Sequence, residues 1–106
     1  MILDSIQTLI EESEKFNNDK LLTVISKKLI NHDIIKGNIK RFKLKNDYLE
    51  LKKSLKINEI RELDKGDFQV VVFPIDENST DGYLGNHTVF VEINLNYKIY
   101  NISVDG

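Results

Sequence analysis

The stretch DFQVVVFPIDENSTDGYLGNHTVFVEINLNYKIYNISVDG, Asp67 to Gly106, decides the fold. It holds three runs: FQVVVFPI (Phe68 to Ile75), TVFVEINL (Thr88 to Leu95) and YKIYNISV (Tyr97 to Val104). In the second, Val89, Val91, Ile93 and Leu95 alternate with Thr88, Phe90 and Glu92, the period-two pattern of a half-buried strand. The third sets Tyr100, Ile102 and Val104 against Asn101 and Ser103. The first is apolar on both faces, as an interior strand is, and Pro74, which cannot donate to a ladder, falls near its end. Asn94-Leu95-Asn96-Tyr97 is a turn between the last two runs, and the polar, acidic stretch 76–87 is a long connection between the first two.

Working toward the N-terminus, Asp64-Lys65-Gly66-Asp67 has hairpin-turn chemistry and leads directly into FQVVVF. Ile57, Ile60 and Leu63 fit a helical spacing, but that turn makes 57–63 a strand. Before it, amphipathic helix dominates. Ile2, Leu3, Ile6, Leu9, Ile10 and Phe16 form one stripe. Asn17-Asn18-Asp19 breaks that run and supplies N-caps. Leu21, Leu22, Ile25, Leu29 and Ile30 predict a second helix, weakened at Asn31-His32-Asp33 and capped by Gly37. FKLK (Phe42 to Lys45) suggests an extended piece, and Asn46 or Asp47 caps a short third helix using Tyr48, Leu51 and Leu55. Helices first and a meander last describe an α+β domain: an N-terminal helical hairpin packed on a curved antiparallel sheet of about four strands.

The chain has 106 residues, so 1–106 is read as a single domain with room for its own core. It is 41% hydrophobic and 30% charged, which excludes a disordered polyelectrolyte, and no apolar run approaches the roughly 20 residues of a bilayer span. Cysteine is absent, which removes disulfide and thiolate chemistry, and the N-terminus lacks a basic signal region. A cytoplasmic location is the expectation. Net charge is −2, but it conceals a partition. Residues 36–56 carry eight basic side chains against two acidic; residues 57–106 carry three basic against nine acidic. The chain is a dipole in sequence.

The block Gly82-Tyr83-Leu84-Gly85-Asn86-His87-Thr88-Val89-Phe90-Val91-Glu92-Ile93, with Asn94-Leu95-Asn96-Tyr97-Lys98-Ile99 after it, resembles the C-terminal part of small bacterial immunity proteins with a nuclear-transport-factor-2-like (cystatin-like) cone fold. Asn94 stands where that pattern usually has Asp, and Tyr97 where Gly is common. The resemblance implies a non-enzymatic protein that binds a cognate toxin domain, often a nuclease, delivered by a neighbouring cell as in contact-dependent growth inhibition. It also implies action by occlusion. Carboxylates beside an aromatic anchor suit a cationic target. The expected partner-binding residues are therefore Asp76, Glu77, Asp81, Tyr83 and Glu92, against the plainer reading of an ordinary solubilising loop. An exposed strand edge, 57–63 or 97–104, offers a route to a homodimer.

Other chemistry is thinly represented. His32 lies beside Asp33 at a helix end, where capping is the simpler role. His87 near Asp81 and Glu92 has no diagnostic ligand spacing, so neither a metal nor another cofactor is expected. The alternative function is a small pocket-bearing enzyme or ligand binder of the same cone fold. It needs Glu92 turned inward with Tyr48 and Tyr100 as donors. A third reading places nucleic acid on Lys40, Arg41, Phe42, Lys43 and Lys45, where basic side chains flank an aromatic. A sequence pI near 5.7 weighs against it.

Overall fold

The structure, a computed structural model, describes residues 15–78 and 80–105. Three helices precede four strands: α1 (Asn18–Leu29), α2 (Asp33–Phe42), α3 (Tyr48–Lys53), β1 (Leu55–Asp64), β2 (Asp67–Pro74), β3 (Thr88–Asn94) and β4 (Ile99–Asp105). The strands form one antiparallel sheet in sequence order, β1-β2-β3-β4. This is the expected α+β arrangement. The first arm of the expected helical hairpin, residues 2–16, lies almost wholly outside the described residues.

The core lies between the helices and one face of the sheet. Phe68, Val70 and Val72 of β2 stand opposite Ile93, Val91 and Val89 of β3, and all six are fully buried. Leu21, Ile25 and Leu29 of α1 are buried in the same cluster, with Ile35 and Leu51 from the other two helices. Their spacing of four puts the α1 residues on one stripe. The opposite sheet face carries Glu59 and Arg61, then Gln69 and Val71, then Phe90 and Glu92, then Asn101 and Ser103. Val71, across from Phe90, is buried there at 5% exposure, so β2 is apolar on both sides as expected.

Local signals account for the element ends. The Asn17 side-chain oxygen accepts from the Lys20 N–H (2.9 Å), Asp19 lies in the first turn of α1, and Lys27 and Lys28 lie in its last. These charges suit the helix dipole. The single helix expected up to Lys36 is corrected: it is two helices. His32 breaks it, because its Nδ1 accepts from the Ile34 N–H (3.2 Å) and caps α2. Gly37 is accordingly inside α2, not a terminus. The true end is a Schellman-type turn: Lys43 is left-handed (φ 55) and the Leu44 N–H donates to the Ile39 carbonyl (2.9 Å). Phe42 to Lys45 is thus a helix end and connector, not the extended strand piece that its alternation suggests. Asp47 caps α3, its side chain accepting from the Leu49 N–H (2.9 Å), while Leu55 opens β1.

Strand β1 confirms the choice of strand over helix for 57–63. Gly66 takes φ 83 in its hairpin turn, and the ladder shifts register between Glu62 and Asp64 to accommodate it. The β3–β4 turn places Tyr97 at φ 62, a conformation suited to Gly. The Tyr ring offsets that strain: it stacks edge-on with Phe16 (5.5 Å), lies under Lys20 Nζ (4.4 Å), and its hydroxyl accepts from the Asn17 N–H (2.9 Å).

One defect in the core yields a prediction. Ser26 is fully buried and its Oγ has no hydrogen-bond partner. A buried unsatisfied hydroxyl is costly, and Ala is the better helix former, so Ser26→Ala should stabilise by about 1 kcal/mol. Urea unfolding of the two proteins checks this; a destabilised variant would contradict it.

Candidate functional site

The connection between β2 and β3 has two parts with different physics. At its start, the Ile75 N–H donates to the Ser54 carbonyl (2.8 Å), which fastens the end of β2 to the start of β1. The chain then turns outward, and residues 75–78, 80 and 81 are exposed. Asp76 Oδ1 accepts from the Asn78 N–H (3.1 Å), a local turn of the kind short acidic side chains favour. Thr80 Oγ1 donates to Asp81 Oδ1 (3.2 Å). Glu77 Oε1 lies 3.7 Å from Lys56 Nζ, with both side chains about half exposed, which is a weak pair.

From Gly82 the same connection turns inward. Tyr83 and Leu84 are core residues at 8% and 1% exposure. The Tyr83 hydroxyl donates to the Lys45 carbonyl (2.6 Å), and its own carbonyl accepts from Asn38 Nδ2 (2.9 Å). Gly85 (φ 61) then reverses the chain into Thr88. Burial, then the carboxylates of Glu50 and Asp47, raises the Tyr83 pKa above 10.0, so the neutral phenol is held firmly. The expectation of Tyr83 as an exposed anchor is corrected. Its ring fills the core and its hydroxyl is engaged, so it tethers the loop to the helical layer instead.

The remaining expected contact residues divide into two places. Asp76, Glu77 and Asp81 share the exposed arm. Glu92 does not join them: it pairs with Gln69 and Asn101 in the middle of the outer sheet face. It is four residues along β3 from Thr88, roughly 13 Å at strand rise. His87 lies one residue further from it still, and among the described residues no three His, Cys, Asp or Glu side chains converge to hold a metal ion. The grouping of Glu92 with Tyr48 and Tyr100 fails as well. Tyr48 is on α3 beneath Lys27 Nζ (5.3 Å), on the helical side, whereas Tyr100 is 54% exposed and its hydroxyl accepts from Asn94 Nδ2 (3.0 Å).

The basic group lies at the end of α2. Arg41 sits 5.1 Å over the Phe42 ring, and Phe42 is itself half-buried, so the aromatic face expected to stack a base is already covered. Lys40 and Lys43 are exposed; Lys45 is exposed too, and its backbone carbonyl holds Tyr83.

The partition of charge follows the layers. Residues 15–56, the helices and their connections, hold twelve basic and four acidic side chains; residues 57–105, the sheet and its loops, hold three and nine. Lys56–Glu77 (3.7 Å) joins them; Lys52–Asp19 (2.7 Å) and Lys53–Glu50 (3.4 Å) stay within the helical layer, and Arg61–Glu59 (3.2 Å) within the sheet. The separation seen in sequence is therefore a separation in space.

Two features of this surface were not drawn from the sequence. Asn38 and Lys45, which hold the loop base, carry no motif; the apolar pair Tyr83-Leu84 inside a polar stretch was the available signal. Among the described residues no helix is long and apolar enough to cross a membrane. Comparison of the chain with protein-family models, with curated proteins and with solved structures gave no match.

Proposed function

We propose that this is a non-enzymatic binding protein of the immunity type, which occludes a cationic surface on a cognate bacterial toxin domain in the cytoplasm. One observation supports it most. The exposed acid-bearing residues Asp76, Glu77 and Asp81 stand next to a base fixed by Tyr83, Leu84, Asn38 and Lys45. A charged arm on a rigid base costs little ordering when it binds, and its field speeds encounter with a positive partner. Of the lysines of residues 36–56, Lys56 pairs with the arm through Glu77, and that contact is long and half-exposed. Glu92 stands on the outer face of the sheet rather than on the arm. The cone-fold resemblance agrees with the helix-then-meander order.

The test is protection. Co-expressed with the C-terminal domain encoded by the adjoining upstream reading frame, the protein should restore growth and form a complex. Asp76→Lys with Asp81→Lys should keep the fold and weaken that complex by about tenfold or more. Absence of protection by the unaltered protein would end the toxin reading. Protection with unchanged affinity in the double variant would keep that reading and remove the arm from it.

A further inference from the structure

The two edges of the sheet are built differently. Strand β1 is broken by register shifts at Ile57/Glu59 and Glu62/Asp64 and carries Lys56, Glu59, Arg61 and Glu62. Bulges and charges of this kind keep an edge from pairing. Strand β4 has one shift, at its start; from there Asn101 to Asp105 run in unbroken register with Glu92 to Thr88. From Ile99 to Val104 it carries no charged side chain. Alternate backbone N–H and C=O groups along such a strand point away from its neighbour.

A groove lies beside this edge. Two contiguous hollows, about 430 and 460 Å³, share Lys28, Asn31 and Ile99 and run between the end of α1 and β4. Their floor includes Val24, Ile99 and Ile102, and their charged lining is Lys27, Lys28 and Lys98 with no carboxylate. Lys27 and Lys98 lie near tyrosine rings, over Tyr48 (5.3 Å) and Tyr100 (5.9 Å), and Lys28 is exposed.

We propose that the β4 edge is a docking site for an extended, acidic peptide segment of about seven residues, which would add to the sheet as a fifth strand. Among the described residues no strand pairs with the outer side of β4, and that backbone selects an extended chain, while the lysine-only charged lining selects acidic side chains at alternate positions. This site lies on the basic side of the molecule, and it stands independently of the occlusion reading, which uses the acidic arm.

The probe is an acetylated, amidated heptapeptide of alternating Glu and Val, titrated into the isotopically labelled protein. Saturable shifts of amides in β4 and at the end of α1 are expected. Lys28→Glu with Lys98→Glu, both on exposed positions, should weaken binding about tenfold, and a Lys-Val counterpart peptide should bind less tightly by a similar factor. N-methylation at alternate amides of the peptide should abolish binding in one phase and spare it in the other, because only one set faces the edge. Equal binding in both phases, or of the Lys-Val peptide, overturns the proposal. So does tighter binding of a single-stranded oligonucleotide to the same amides, or self-association of the free protein through β4.

Discussion

Phe68→Ala should destabilise the protein by about 4 kcal/mol, a loss of roughly 20 °C in Tm for a domain of this size. Phe68 is fully buried on β2, a central strand, opposite Ile93. Phe16 meets its ring edge-on at 5.3 Å, and Lys15 Nζ lies 5.2 Å from the ring centre. The side chain therefore joins the segment before α1 to the sheet, and its removal leaves a cavity that neighbours on a rigid ladder cannot close. Phe16 would also lose its edge-on partner, while keeping Tyr97. Phe68→Leu retains most of the volume and should cost about 1.5 kcal/mol. Urea unfolding with the slope held constant measures both. A Phe68→Ala loss below about 2 kcal/mol would show that the core relaxes around the gap, contrary to close packing against the ladder.

Tyr83→Ala should cost about 3 kcal/mol and release the β2–β3 connection from the helical layer. The loss combines a core ring with the 2.6 Å hydrogen bond to the Lys45 carbonyl. Tyr83→Phe separates the terms: it keeps the ring, removes the phenol hydrogen bond while the Lys45 carbonyl still accepts from the Asp47 N–H (2.9 Å), and should cost about 1 kcal/mol. A pH dependence accompanies it. Burial, with Glu50 and Asp47 nearby, raises the folded pKa of Tyr83 above 10.0. The folded state then holds its proton more tightly than the unfolded chain, so this contribution is complete below pH 10.0 and is lost as pH rises through the folded pKa. Stability measured from pH 9 upward should fall more steeply in the unaltered protein than in Tyr83→Phe. Parallel profiles would mean that the phenol ionises without penalty. If the arm acts as proposed, Tyr83→Ala should also weaken toxin binding although it deletes no carboxylate, because a loosened base must be ordered on binding.

Much of the architecture was legible because it rests on local chemistry. Alternation at Val89, Val91 and Ile93, the turn at Lys65-Gly66, and the caps at Asn17 and Asp47 each act within a few residues and appear where the pattern places them. Reading 57–63 as a strand succeeded for the same reason: a hairpin turn constrains the chain on both sides of it. The misreadings arose where one local signal had two outcomes. Gly37 after Lys36 resembles a helix end, but His32 had already started a new helix by capping Ile34, and a glycine in that interior is merely tolerated. Alternation in Phe42 to Lys45 resembles a strand, yet among the described residues no strand pairs with it, and the left-handed Lys43 closes the helix instead.

The candidate site was less legible than the fold. An acidic loop that ends in two glycines does not reveal which residues turn inward, since that depends on whether Asn38 and the Lys45 carbonyl, more than thirty residues away, are in reach. Likewise, nothing in the order of residues says that β4 ends the sheet or that Lys28 and Lys98 flank it. The amino-acid sequence by itself determined the elements, their order and the division of charge, because hydrophobic period, turn chemistry and charge are written residue by residue. Tertiary structure alone decided that Tyr83 is an anchor within the core, that Glu92 stands apart from the arm, and that β1 is an irregular edge while β4 is a more regular one. Those outcomes depend on burial and on partners distant along the chain, which are properties of the packed layers.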